Sequence, residues 1–143
     1  MMRYQNGRFF THGICFAIPD GFHLETEPDY VYEYGLGAWT PDQSCYVEWN
    51  IEENCLGTEK ELSALFQEAS GSVPLTEIRP VSVNGLSGHQ MAYREEQKYF
   101  LEVRLALKEK AELVFLVSGE GEDILSRMDL PDLQQALNSI RPE

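Results

Sequence analysis

The chain has 143 residues, 43% of them hydrophobic and 24% charged, the composition of one globular domain over residues 1–143 rather than of a disordered chain. At that size roughly 68–70% of the unfolded chain's surface is buried on folding, so stability requires neither a disulfide nor a metal. Eleven Lys and Arg against 24 Asp and Glu give a net charge of −13, which repels phosphate backbones and anionic lipid. No nucleic acid and no membrane is therefore expected as a partner; a basic protein, or plain solubility, fits the charge better.

Residues Met1 to Arg8 contain no apolar segment of the kind a signal peptide needs, and no apolar run approaches about 20 residues. Neither a leader nor a membrane span is expected. Cys15, Cys45 and Cys55 are an odd number with no CxxC spacing, which suits a reducing compartment, with the cytoplasm as the default location.

In chain order, Ile14, Phe16 and Ile18 alternate with Cys15 and Ala17, which predicts a strand from Arg8 to Ile18, stopped by Pro19-Asp20-Gly21. A second strand is expected from about Tyr30 to Trp39, with Tyr30, Tyr32, Tyr34 and Leu36 on one face and a weakened or bulged segment at Gly35 and Gly37. Pro41-Asp42-Gln43 reads as a hairpin turn into Ser44–Glu52, where Cys45, Val47, Trp49 and Ile51 share the inward face. Thr58-Glu59-Lys60-Glu61 has the form of a capping box. Leu62, Leu65, Phe66 and Ala69 then follow at helical spacing up to Gly71.

The second half is mostly strand. Pro80 limits Leu75–Val83 to an edge or a bulge, and Asn84-Gly85 is a strong hairpin signal. Gly88–Glu95 alternates His89, Met91 and Tyr93 against Gln90, Ala92 and Arg94. In Lys98–Lys108, Tyr99, Leu101, Val103, Leu105 and Leu107 point one way. Lys108-Glu109-Lys110 reads as a turn, and the nearly continuous apolar run Ala111–Ser118 reads as a central strand covered on both faces. A short helix is expected from Glu122 to Met128, and a last one from Pro131 with Leu133, Ala136, Leu137 and Ile140 on one stripe. Short loops between successive strands require antiparallel pairing. The fold class is α+β: an antiparallel sheet of about six or seven strands, with one mid-chain helix and C-terminal helices packed on it.

The stretch Phe16-Ala17-Ile18-Pro19-Asp20-Gly21-Phe22 resembles the opening common in the PsbP-like superfamily. The mid-chain helix, the Val83-Asn84-Gly85-Leu86-Ser87-Gly88 hairpin and a terminal Leu137-Asn138-Ser139-Ile140-Arg141-Pro142 helix extend the resemblance over nearly the whole chain. That superfamily includes the photosystem II extrinsic protein, Ran-binding nuclear import factors and bacterial stand-alone domains such as chaperones of type VI secretion effectors. The resemblance implies a fold and a habit of acting as a non-enzymatic binding or assembly module, and it transfers no functional residue.

The residues offer no recognisable catalytic constellation. His12, His23 and His89 stand singly, Cys45 and Cys55 are not spaced as zinc ligands, and Glu120, Glu122 and Asp123 lack the EF-hand pattern, so no metal and no cofactor is expected. Neither a GxSxG elbow nor a phosphate-binding glycine loop is present. The candidate site is instead the second face of the sheet, where Tyr46 and Glu48 lie on one strand and Phe100, Glu102 and Arg104 on another. Tyr32 and Tyr34 join them if the register around Gly35 allows. Aromatics interspersed with charges compose protein-binding surfaces. They also serve as cross-strand pairs that merely stabilise a sheet, or lie beneath a helix or loop. The expected function is a non-catalytic protein-binding or adaptor module whose partner is another protein or itself, as a homodimer. The alternatives are a chaperone for a secreted effector, or a small enzyme or ligand-binding domain with His89 and Tyr93 in its pocket.

Overall fold

The computed structural model describes residues 2–25, 35–66, 71–121, 124–127 and 129–143. Its main sheet is antiparallel and has eight strands. From one edge the order is β4 (His23–Leu24), β5 (Gly35–Trp39), β6 (Tyr46–Glu52), β11 (Glu112–Gly119), β10 (Lys98–Ala106) and β9 (Leu86–Glu95). Both β7 (Ser72–Pro74) and β8 (Arg79–Val83) pair with β9 at the other edge. The apolar run predicted as a central strand is central: β11 lies between β6 and β10, and all but Leu116 and Gly119 of its residues are buried. Pro80 sits on the edge strand β8, where its missing N–H breaks no ladder.

Where the sequence predicts one strand from Arg8 to Ile18, the chain forms a hairpin of β2 (Arg8–Thr11) and β3 (Ile14–Phe16). Its turn is His12-Gly13, with φ of 48° and 80°, the doubly positive pair that suits a two-residue hairpin. These strands belong to a second, four-stranded sheet, with β1 (Arg3–Gln5) at one edge and β12 (Arg141–Pro142) at the other. The terminal helix accordingly stops early. Helix α3 (Pro131–Asn138) ends before Arg141, whose backbone pairs with Cys15. The short α2 (Ile124–Arg127) precedes it.

The inner face of the main sheet buries the row Leu36, Trp49, Phe115 and Val103 across four strands. Phe9 and Phe16 of the small sheet and Leu133, Ala136, Leu137 and Ile140 complete this core. At its centre the Trp49 ring stacks on Phe16 at 5.6 Å and meets Phe115 edge-on.

The mid-chain helix α1 (Thr58–Ala64) lies on the opposite, outer face, against β9 and β10. Its capping differs from the predicted box. Gly57 is the N-cap, and Glu61 Oε1 accepts a 2.8 Å bond from the Leu56 amide. Thr58, inside the first turn, directs its hydroxyl to His89 Nδ1 at 2.7 Å. The helix start is thus tied to the sheet rather than closed on itself.

Candidate functional site

Strand register sets out the outer face in three successive rows. One runs Trp39, Tyr46, Ser118, Phe100, Tyr93; the next Gly37, Glu48, Leu116, Glu102, Met91; the third Gly35, Asn50, Val114, Arg104, His89. Tyr46, Glu48, Phe100, Glu102 and Arg104 therefore share one sheet face, and Tyr46 and Phe100 share a row with Ser118 between them. Tyr32 and Tyr34 lie outside the described residues. The row also contains Trp39, absent from the face expected from the sequence; counting back across the Pro41-Asp42 turn pairs it with Tyr46.

The face is not uniform. Over β9 and β10 it is covered by α1, whose Leu62 is fully buried with Met91 and Tyr93, while Leu65, Phe66, Ile78 and Phe100 pack around them. Phe100 stacks on Tyr93 at 5.1 Å, and Tyr93 meets the Phe66 ring edge-on. Glu102 and Arg104 are buried, so this stretch of charge is interior rather than solvated surface.

Burial of those charges is possible because one guanidinium meets several carboxylates. Arg104 donates to Glu102 at 2.6 Å, to Glu52 at 2.7 Å and to Glu112 at 3.0 Å, and the Tyr93 hydroxyl donates to Glu102 at 2.7 Å. Burial opposes the charge on Arg104, but bonds and charges from Glu52 and Glu102 outweigh it and hold the guanidinium firmly protonated. Glu112 is pushed above the ordinary carboxylate value, first by burial, and its bond to Arg104 only partly offsets this. Burial, then the Glu102 charge, raises the Tyr93 phenol as well. The carboxylates around Arg104 are thus occupied by the guanidinium. Among the described residues no group of three or more His, Cys, Asp or Glu is arranged to hold a metal.

His89 and Tyr93, the suspects for an enzymatic pocket, are engaged elsewhere. His89 faces Thr58 and Glu59 at the helix start, and Tyr93 faces Glu102. Neither lines the clefts described below.

Over β5 and β6 the outer face is different. Trp39 is 40% exposed, and its ring lies 5.0 Å from that of Tyr46. Tyr46 leans diagonally across β5, and a Cβ added to Gly37 would sit 2.4 Å from its Cζ. Gly35 likewise makes room for Asn50. The two glycines are therefore seats for side chains of β6, and β5 carries no bulge at either. The Tyr46 hydroxyl donates to Glu25 Oε2 at 2.7 Å; burial, then that bond, pushes the phenol well up. Trp39, Tyr46, Glu25, Ser118, Lys98 and Glu120 line a cleft of about 580 Å³. A smaller one of about 280 Å³ adjoins it, with Tyr46 and Glu25 in common and Glu48 and Asn50 on its wall.

No family model and no curated protein matches the chain. Its fold is similar to that of a mutant of the protein Mog1, at a TM-score of 0.54 and 11% identity over 90% of this chain and 89% of that one. A Bacteroides thetaiotaomicron crystal structure is similar at a TM-score of 0.54 and 9% identity over 98% of this chain. The chain spans about half the length of that protein, 49%. These likenesses establish a shared fold.

Proposed function

We propose that the chain is a non-catalytic, single-domain PsbP-like module that binds another protein through the half of its outer sheet face that α1 does not cover. The observation that carries this is the Trp39–Tyr46 pair, half-open in a cleft beside carboxylates, on a sheet face whose other half the chain's own helix occupies. Large aromatics left accessible in a concavity are the commonest anchors of protein interfaces. The Mog1-like fold and the sequence resemblance to a superfamily of binding modules support the same reading. The partner is a second protein, or a second copy in a homodimer, and the three free thiols suit a cytoplasmic setting.

The test is affinity capture from the native host together with sedimentation of the purified chain, comparing wild type with Trp39→Ala and Glu48→Lys. Both variants should fold normally and lose the partner or the dimer. Capture and sedimentation unchanged in both would reject the surface. A second reading, a chaperone for an apolar segment, is favoured by a separate cleft of about 630 Å³ beside α1, where Phe66, Leu75 and Ile78 present apolar surface. Leu75→Asp, with Trp39 intact, would abolish capture on that reading alone.

A further inference from the structure

Resting on the reading of this face as a protein-binding surface, we infer that the Trp39–Tyr46 cleft takes a cationic side chain, an arginine or lysine presented by the partner. Tyr46 is fixed on both counts that matter: its ring is seated over Gly37, and its hydroxyl is held by Glu25. Trp39 stands 5.0 Å away at a tilt of 57°, so the two rings form an angled wall rather than a closed stack. The faces of such rings are electron-rich and attract a cation placed over them.

The surroundings carry the matching charge. Glu25 and Glu120 line the larger cleft and Glu48 the smaller, and Tyr46 belongs to both. Lys98 lines the larger cleft too, and it leaves the carboxylates in excess. Seating a purely apolar anchor would strip water from these carboxylates and return no partner to them, and an anion would meet like charge. A guanidinium or ammonium satisfies the rings and the carboxylates together. The net charge of −13 draws a basic partner toward the surface in the first place.

The intrinsic probe is built in, because Trp49 is fully buried whereas Trp39 is 40% exposed. The experiment titrates the 15N-labelled chain with the capped tripeptides acetyl-Gly-Arg-Gly-amide and acetyl-Gly-Lys-Gly-amide, with the Gln and Leu analogues as controls. The arginine and lysine peptides should shift the Trp39 indole and the Gly37 amide saturably, and added salt should weaken the binding. The double variant Glu25→Gln, Glu48→Gln keeps an acceptor for the Tyr46 hydroxyl and should lower the affinity roughly fivefold. Equal shifts with the Gln or Leu peptide, or none with any peptide, would overturn the inference. Capture from the host separates the two levels. A partner lost in Trp39→Ala but retained by the double Gln variant leaves the surface reading standing and overturns the cation site. A partner retained by both overturns both.

Discussion

The two halves of the outer sheet face are built from the same kinds of residue and meet opposite fates. In each, an aromatic pair flanks Ser118 in one row and glutamates follow in the next. On the β9–β10 side α1 roofs Tyr93, with Phe100 half-buried against it, and the charges close on Arg104. On the β5–β6 side the pair Trp39–Tyr46 stays half-open, and Glu25 and Glu48 have no cation bonded to them among the described residues, Glu52 at the far end of β6 being the one that reaches Arg104. The difference lies in where the one mid-chain helix comes down. Thr58–His89 and Leu62–Met91 contacts fix that landing on β9, three strands away from β6. A covered half with saturated charge is structural. The open half, with its surplus carboxylate, is the surface proposed for a partner.

The largest expected effect lies in the covered half. Arg104→Met leaves Glu102 and Glu112 buried without their counter-charge and should cost about 3–5 kcal/mol in a denaturant titration. A cost near zero would mean that the cluster is solvated after all. Phe100→Glu belongs to the same half; it replaces the ring stacked on Tyr93 and should destabilise the chain, though less than Arg104→Met because Phe100 is only half-buried.

At the boundary of the open half, Gly37→Ala should displace Tyr46, break its bond to Glu25 and cost about 1–3 kcal/mol. Loss of the Tyr46–Trp39 ring contact in the NMR spectrum would report the displacement directly. Glu112→Gln should change the pH dependence instead. The folded pKa of Glu112 lies above its unfolded value, so its contribution is complete below the ordinary carboxylate pKa and is lost as the pH rises through the raised value. The Gln variant does not titrate there, and its stability relative to wild type should therefore increase with pH across that window. A constant difference would show that the folded pKa of Glu112 is not raised above its unfolded value. The smallest effect on stability belongs to Trp39→Ala, within about 1 kcal/mol, because the ring is already 40% exposed.

Much of this comparison can be read from the chain, and the remainder fails for definable reasons. Alternation locates β6, β9 and β10, a continuous apolar run locates the buried β11, and Asn84-Gly85 marks its turn, because these signals are local. His12-Gly13 is not among the favoured two-residue hairpin pairs Asn-Gly, Asp-Gly and Gly-Gly, and β2 therefore reads as continuous with β3. β12 pairs with a strand about 126 residues earlier, and nothing local to Arg141-Pro142 announces that. The site shows the same division. Period two alone places Tyr46, Glu48, Phe100, Glu102 and Arg104 on one face. Their separation into covered and open halves depends on β6 pairing with β11 and on the seat of α1, both non-local.

The division between the two halves is tested most directly by hydrogen–deuterium exchange of the chain alone and with its captured partner. Binding through the open half predicts added protection over residues 35–39 and 46–50, with β9 and α1 unchanged. Protection appearing over 58–66 and 86–95 instead, while β5 and β6 exchange as before, would contradict it.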